Sequence, residues 1–384
     1  MNKEIVEFHS VIGKLKIAIV HEWFVNYAGS ERVVEQMLEV FPNADLFSIV
    51  DFLPENGRGY LHGKKAKTTF IQKLPFAKKH FRNYFPWFPI AVESHDLRGY
   101  DIVLSSSHMV SKGLIVNQDQ LHICYCHSPC RYAWDLYHQY LEEAGLRKGI
   151  LGIFAQFFLH KLRIWDQIST PRVHHFIANS KYIASRISHV YNRDAEVIYP
   201  PVDVLKFVLL EEKDDFYFAA SRMVPYKKME LIAEAFKKMP DKKLIMVGSG
   251  AKTADLKRIN SSNIVFKTEA DAPEFLKLMS RAKAFVFAAE EDFGITMAEA
   301  QACGTPVIAF GKGGAAEIVQ NGITGVLFTE QNVESIVEAV AKFESNPELY
   351  QPKTISETAQ RFSNQAFREN LILKVYQKWM QFKS

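Results

Sequence analysis

The sequence predicts an α/β protein made of two Rossmann-like, doubly wound domains facing across a cleft. Three observations predict it. Short apolar runs alternate with helical patterns, the alternation breaks once at Ile198-Tyr199-Pro200-Pro201-Val202-Asp203, and it then restarts in the same form. With 384 residues the chain is long enough for two domains of roughly 100–200 residues each.

The first run, residues 16–20, is apolar throughout rather than alternating, as a parallel strand buried on both faces must be. It leads through a Gly-containing loop, 25–30, into a helix expected from Glu31 to about Val40. Further strands are expected at 102–104, 121–125 and 176–178, the last followed by a helix capped near Asn179 or Ser180. Two adjacent prolines continue neither a helix nor a central strand, which sets the domain boundary at 200/201. Strands then follow at 216–220, 243–247, 264–266, 284–288, 306–309 and 326–328, with helices between most of them. A last helix is expected from Ser363, with Phe362 and Phe367 at the spacing of a hydrophobic staple. The expected organisation is 1–200, 201–362, and a terminal helix 363–384 packing back on the first domain.

Apolar residues make up 48% and charged residues 23%, which excludes a disordered chain. A net charge of +4 is too small to call for nucleic acid, and no nucleic-acid motif is present. Cys124, Cys126, Cys130 and Cys303 form no disulfide framework and suit a reducing compartment. Residues 1–14 are mixed and charged, unlike a secretory leader, and the most apolar stretch, 150–159, is far short of the ~20 residues that span a bilayer. A cytoplasmic location is expected.

The chemistry concentrates after the strand at 284–288. Glu291 and Glu299 are separated by seven residues, with Phe293-Gly294-Ile295 between them. Gly294 lies near the start of a helix whose free N–H groups favour anions and oxygen acceptors, and carboxylates are good acceptors for sugar hydroxyls. Arg222 and Lys227 follow the first strand of the second domain, where two cations can clamp a diphosphate and stabilise a departing one. Gly248 and Gly250 follow the next strand as a short phosphate-loop pattern, and Gly29 opens the first helix of the first domain. His127 ends a strand, and His108 and Lys112 follow another. His122, Cys124, Cys126, His127 and Cys130 are dense enough to suggest zinc, but alternate residues of a strand point to opposite faces, which defeats a tetrahedron. No Asp-x-Asp pair is present, so no metal and no other cofactor is expected.

These residues resemble the signature of glycosyltransferase family 4. The resemblance implies that Glu291 contacts the transferred sugar with the backbone of Phe293, Gly294 and Ile295, and that Glu299 contacts the ribose of the nucleotide. It implies that Arg222 and Lys227 hold the diphosphate, and that Gly29, Gly248 and Gly250 approach the donor. Lys228 stands where the family usually has glycine, and Ala28 where it often has a second one. The stretch from Leu121 to Asp135, with Ser105 to Gly113 before it, resembles the WbaZ-like mannosyltransferase branch. That branch implies a two-domain GT-B fold and a retaining, metal-independent transfer of a hexose, most simply mannose from GDP-mannose. The acceptor would be a lipid-linked glycan in bacterial surface polysaccharide synthesis, with His127 catalytic and His108 and Lys112 on the acceptor side.

Lysines at 64, 65, 67, 73, 78 and 79 and Arg82 interleave with aromatic residues up to Phe88, a composition suited to an anionic membrane interface. A UDP-sugar or GDP-fucose donor is the nearest alternative. A nicotinamide oxidoreductase draws on Gly248, Gly250 and Glu269, but Thr253 replaces the third glycine. A non-catalytic nucleotide-sugar-binding module would bind the donor without releasing nucleoside diphosphate.

Overall fold

A computed structural model describes residues 11, 13–250, 253–259 and 261–384. The segment 1–14 therefore lies almost wholly outside the described residues. The chain forms two compact units, one from Met1–Pro200 with Phe367–Ser384, the other from Pro201–Ala366.

The first unit holds a seven-stranded sheet: β1 (Ile17–Phe24), β2 (Asp45–Asp51), β3 (Lys67–Thr68), β4 (Ile102–Ser107), β5 (Leu121–Cys126), β6 (His175–Ala178) and β7 (Ala195–Val197). All neighbours pair in parallel, in the order β3-β2-β1-β4-β5-β6-β7. The strand order reverses between β1 and β4, so the loops leaving these two strands flank an open crevice at the sheet's carboxyl edge. Strand β1 shows why the run is apolar throughout. Ile17 and Ile19 enter one core with Val33, Val34, Met37 and Leu38 of the helix Gly29–Val40, while Ala18 and Val20 enter another with Phe81, Phe88 and Leu162. β2, β3 and β7 were not among the expected strands. β2 is bounded by Asp45 and Asp51, and the other two are edge strands of two or three residues, too short for any periodicity to register.

The second unit holds a six-stranded sheet: β8 (Tyr217–Ala220), β9 (Leu244–Val247), β10 (Ile264–Lys267), β11 (Ala284–Phe287), β12 (Val307–Phe310) and β13 (Gly325–Phe328). It too is parallel, in the order β10-β9-β8-β11-β12-β13, and reverses between β8 and β11. The loops carrying Arg222 and Glu291 leave these two strands.

The last helix, Asn364–Lys383, is capped by Ser363, whose Oγ accepts the Ala366 N–H at 3.1 Å. Phe367, Leu371, Val375 and Trp379 recur every fourth residue and complete the core around Ile17 and Ile19. The expected staple pair has separate partners: Phe362 sits edge-to-face on Phe293 in the second unit, and Phe367 on Tyr125 in the first.

Candidate functional site

In the second unit, two loops at the carboxyl edge press together. The Ser221 N–H donates to the Val247 carbonyl (3.2 Å) and the Met223 N–H to the Ser249 carbonyl (2.9 Å). Gly248 and Gly250 take φ of 149° and 154°, a backbone that L side chains rarely adopt. A Cβ on Gly248 would stand 1.9 Å from the Ser221 carbonyl oxygen, and one on Gly250 2.6 Å from that of Met223. These glycines let the loops touch. Beside them opens a cavity of about 380 Å³ whose lining includes Arg222, Gly248, Ser249, Thr268, Glu269 and Thr296, a volume in the range of small-molecule sites. Gly250 is not part of that lining, and Thr253 Oγ1 accepts its N–H at 2.9 Å. Glu269 does reach the cavity, but the hydroxyl of Thr253 closes the loop in the place where a dinucleotide fingerprint has its third glycine.

Arg222 is exposed and donates to the Tyr226 hydroxyl at 2.6 Å. Lys227 ends the turn Pro225–Lys227 and forms an ion pair with Glu291, the two side chains only 13% and 21% exposed. One residue assigned to the diphosphate and one assigned to the sugar are therefore partners. Lys228 takes the left-handed conformation, φ 54° and ψ 29°, as N-cap of the helix Met229–Lys237. That is a glycine's conformation, which accounts for the glycine expected at this position.

The Glu291 loop is braced from behind by a feature that sequence reasoning missed. The Gly314 N–H donates to the Glu291 carbonyl at 2.8 Å. A Cβ on Gly313 would meet that carbonyl at 2.3 Å, and one on Gly314 would meet the Phe293 carbonyl at 2.0 Å. The signal was present as Gly311-Lys312-Gly313-Gly314 directly after an expected strand. Phe293 is buried against Phe362, so only its backbone is available to a ligand. Gly294, with φ 90°, is the N-cap of the helix Ile295–Ala302, and Thr296 of its first turn lines the cavity. Glu299 lies one turn further in, 7% exposed.

The crevice of the first unit holds a buried polar network. Glu22 Oε1 faces the Ser107 hydroxyl and four successive N–H groups, from His108 to Ser111, at 2.7–3.2 Å. Burial would raise the Glu22 pKa, but the charges of His108 and His21 and the bonds from Ser111 hold it below the ordinary carboxylate value. His21 lies 3.6 Å from Glu31. Burial would lower the His21 pKa; Glu31 and Glu22 outweigh it and raise the pKa. His21 Nδ1 in turn reaches the Ser106 carbonyl (3.1 Å) and hydroxyl (3.2 Å), and the Ser106 hydroxyl lies 2.8 Å from His127 Nε2. The Ser106 carbonyl can only accept, so His21 Nδ1 carries the hydrogen that it donates there. Burial, then the neighbouring His108 and His21, push the His127 pKa well below its ordinary value, so this imidazole is neutral. Burial likewise lowers His108, whose ring stands 6.4 Å from that of His127. Glu22 Oε2 and His108 Nδ1 are buried without a hydrogen-bond partner among the described residues. His21, Glu22 and Glu31 were all missed as site residues.

One assignment changes. Lys112, expected on the acceptor side, is 1% exposed; its Nζ pairs with Asp166 (3.0 Å) and donates to the Asp166 carbonyl, Ser169 and Thr170. It is a core cation tying β4's loop to the helix Gly149–Ser169 and has no donor left for an acceptor. Gly29, expected to supply a tight approach, is the first residue of its helix. Beside it, Glu31 Oε2 accepts the Ala28 N–H (3.1 Å) and the Ser30 hydroxyl (3.0 Å). The cysteine–histidine stretch divides as strand alternation requires: Cys124 and Cys126 pack with Phe176 and Ile183, while Tyr125 between them packs on the opposite face. No group of three His, Cys, Asp or Glu residues suited to a metal occurs among the described residues.

Residues 27–205 match the family model described as Glycosyltransferase Family 4, and residues 203–368 the one described as Glycosyl transferases group 1. An uncharacterized glycosyltransferase of Methanocaldococcus jannaschii is 28% identical over 227 residues, 57% of this chain and 63% of that one. A GDP-mannose-dependent monoacylated alpha-(1-6)-phosphatidylinositol monomannoside mannosyltransferase of Corynebacterium glutamicum is 31% identical over 142 residues, 33% of this chain and 37% of that one. The chain thus spans less than two thirds of the length of either relative. Sucrose-phosphate synthase of Thermosynechococcus elongatus superposes with a TM-score of 0.72 at 18% identity, over 96% of this chain and all of that one, a likeness of fold alone.

Proposed function

We propose that this chain, whose two halves match the family models described as Glycosyltransferase Family 4 and Glycosyl transferases group 1 and whose fold is the two-domain GT-B fold, transfers a hexose from a nucleotide sugar to a glycan acceptor with retention of configuration. The observation that carries the reading is the edge of the second sheet. There a nucleotide-sized cavity, the exposed Arg222, the Lys227–Glu291 pair and a glycine-capped helix start surround one strand reversal.

In this reading Arg222 and Lys227 hold the diphosphate and offset its charge as the glycosidic bond breaks. Glu299 accepts from the ribose hydroxyls. Glu291 and the backbone from Phe293 to Ile295 bind the sugar. The acceptor hydroxyl attacks from the face that the leaving phosphate vacates, and that phosphate takes its proton, so no side chain has to act as base. Two cations do the work of a metal, and none is required. In the first unit, His127 and His108 bind sugar hydroxyls rather than shuttling protons, and Glu22 holds the backbone of the loop that carries His108.

The donor is GDP-mannose in this proposal, supported by the Corynebacterium relative, which is itself a GDP-mannose-dependent enzyme. The acceptor is a lipid-linked glycan of bacterial surface polysaccharide, and the protein works as a peripheral enzyme at the cytoplasmic face of a membrane. No helix among the described residues is long and apolar enough to cross one. A thermal-shift screen with GDP-mannose, GDP-fucose, UDP-glucose and UDP-N-acetylglucosamine tests the donor, since a ligand that binds the native state raises its melting temperature. GDP-mannose should stabilise the wild type and not Arg222→Ala. Equal stabilisation of both, or of neither, overturns the assignment.

A further inference from the structure

The helix Gly149–Ser169 is apolar on two sides. Its inward side places Gly152, Leu159, Leu162 and Asp166 against the first unit. Its outward side carries Ile150, Ile153, Phe154, Phe157, Ile164 and Ile168, all between 40% and 74% exposed. Their spacing of three, four and seven residues lays them along one stripe of a 21-residue helix, about 32 Å long at 1.5 Å per residue. Single exposed apolar residues need no explanation, but a continuous stripe of this length does. Its charge is equally one-sided. From Ala144 to Trp165 the sequence contains no Asp or Glu, while Lys148 at the helix start and Lys161 within the stripe are exposed cations.

We infer that this stripe is the surface on which the protein rests on an anionic lipid bilayer, the helix lying in the plane of the headgroups. Branched aliphatic and phenyl side chains would enter the acyl boundary, and the two lysines would reach the phosphates, as in interfacial helices. A second copy of the chain fits the stripe less well. An isologous contact centred on it would bring the two Lys161 side chains together with no carboxylate on the stripe to neutralise them. The segment 64–88 is a weaker surface than its sequence implied. Phe81 and Phe88 are buried in the core, leaving Phe70, Phe76 and Trp87 exposed on separate short turns. The inference deepens the proposed work on a lipid-linked acceptor by naming where the lipid meets the protein, and its test needs no turnover.

Co-sedimentation of the full chain with vesicles of phosphatidylcholine alone, and of phosphatidylcholine with phosphatidylglycerol in equal parts, provides that test. Wild type should bind the mixed vesicles more tightly. The triple variant Ile153→Ser, Phe154→Ser, Phe157→Ser should lose roughly 100-fold or more on both. Lys148→Gln with Lys161→Gln should lose roughly 30-fold on mixed vesicles only, at about fivefold per cation. The triple variant should keep the nucleotide-sugar thermal shift, which separates failure of this surface from failure of the donor site. Wild-type vesicle binding by the triple variant, or no binding by the wild type, overturns the inference. So does a wild-type dimer that the triple variant dissolves, which would make the stripe a subunit interface.

Discussion

The ion pair between Lys227 and Glu291 makes the two residues separable by sign. Both side chains are mostly screened from water, where two unit charges in contact attract by ~4 kcal/mol at an effective dielectric near 20, most of it offset by desolvation. A net of about 1 kcal/mol then opposes any diphosphate that must draw Lys227 away. Glu291→Gln removes that competition and should tighten nucleoside diphosphate about fivefold. It should also lower transfer at least ~100-fold, because the sugar loses its carboxylate in the transition state. Lys227→Met removes a charge-assisted bond to phosphate of about 1.5–3 kcal/mol, weakening nucleoside diphosphate roughly 10–100-fold. In the double variant the Glu291 effect has no lysine to act through, so its affinity should equal that of Lys227→Met, a coupling of about 1 kcal/mol. Calorimetric titration with GDP, beside release of nucleoside diphosphate during turnover, reads all four proteins. If Glu291→Gln weakens GDP as much as Lys227→Met does, or the two losses add, the pair does not work this way.

Lys112→Met should leave Asp166 charged in the core without its cation and cost about 3–5 kcal/mol in urea unfolding, while the nucleotide-sugar thermal shift persists. Lys228→Gly relieves a left-handed lysine at about 1–2 kcal/mol but loosens the unfolded chain, for a net gain of about 0.5–1 kcal/mol by the same assay. Glu31→Gln should reverse one pH dependence. In the wild type the His21 pKa is raised, so its contribution is complete below the unfolded value near 6.5 and is lost as pH rises through the folded one. Without the Glu31 charge, burial dominates and the His21 pKa falls below its unfolded value. The stability gap between wild type and variant should therefore narrow as pH rises from the unfolded value near 6.5 through the raised folded one, and a constant gap would show that Glu31 does not set the charge of His21.

What the sequence revealed follows from how far each feature reaches along the chain. The strand runs, the double proline and the segment from Glu291 to Glu299 are local, and their residue types carry their meaning within a few positions. The same holds for Gly248, whose need for a rare backbone shows as a glycine just after a strand. The polar network of the first unit is a different kind of object. His21 and Ser106 lie 85 positions apart, and although Ser106 falls in the stretch from Ser105 to Gly113, nothing near His21 points to it. Only the parallel pairing of β1 with β4 sets them side by side, and no periodicity announces a histidine inside a buried strand. Lys112 failed for the complementary reason: a lysine after a strand is open to an acceptor-side role until the fold brings Asp166 from 54 positions away.

The helix Gly149–Ser169 shows where hydropathy itself runs out. An apolar stretch at 150–159 is equally what a core helix, a spanning segment or an interfacial helix would write, and length excludes only the second. Periodicity does not separate the other two, because residues spaced for the inward stripe and residues spaced for the outward one are both apolar. The distinction needs the neighbours: Leu159 and Leu162 are 2% and 4% exposed, while Phe157, between them and the N-terminal turns, is 52% exposed. Charge then decides between water-shy partners, since an oily stripe that excludes every carboxylate over some twenty residues and keeps its lysines is matched to a surface that is itself negative. A protein interior has no use for that bias, and an anionic bilayer does.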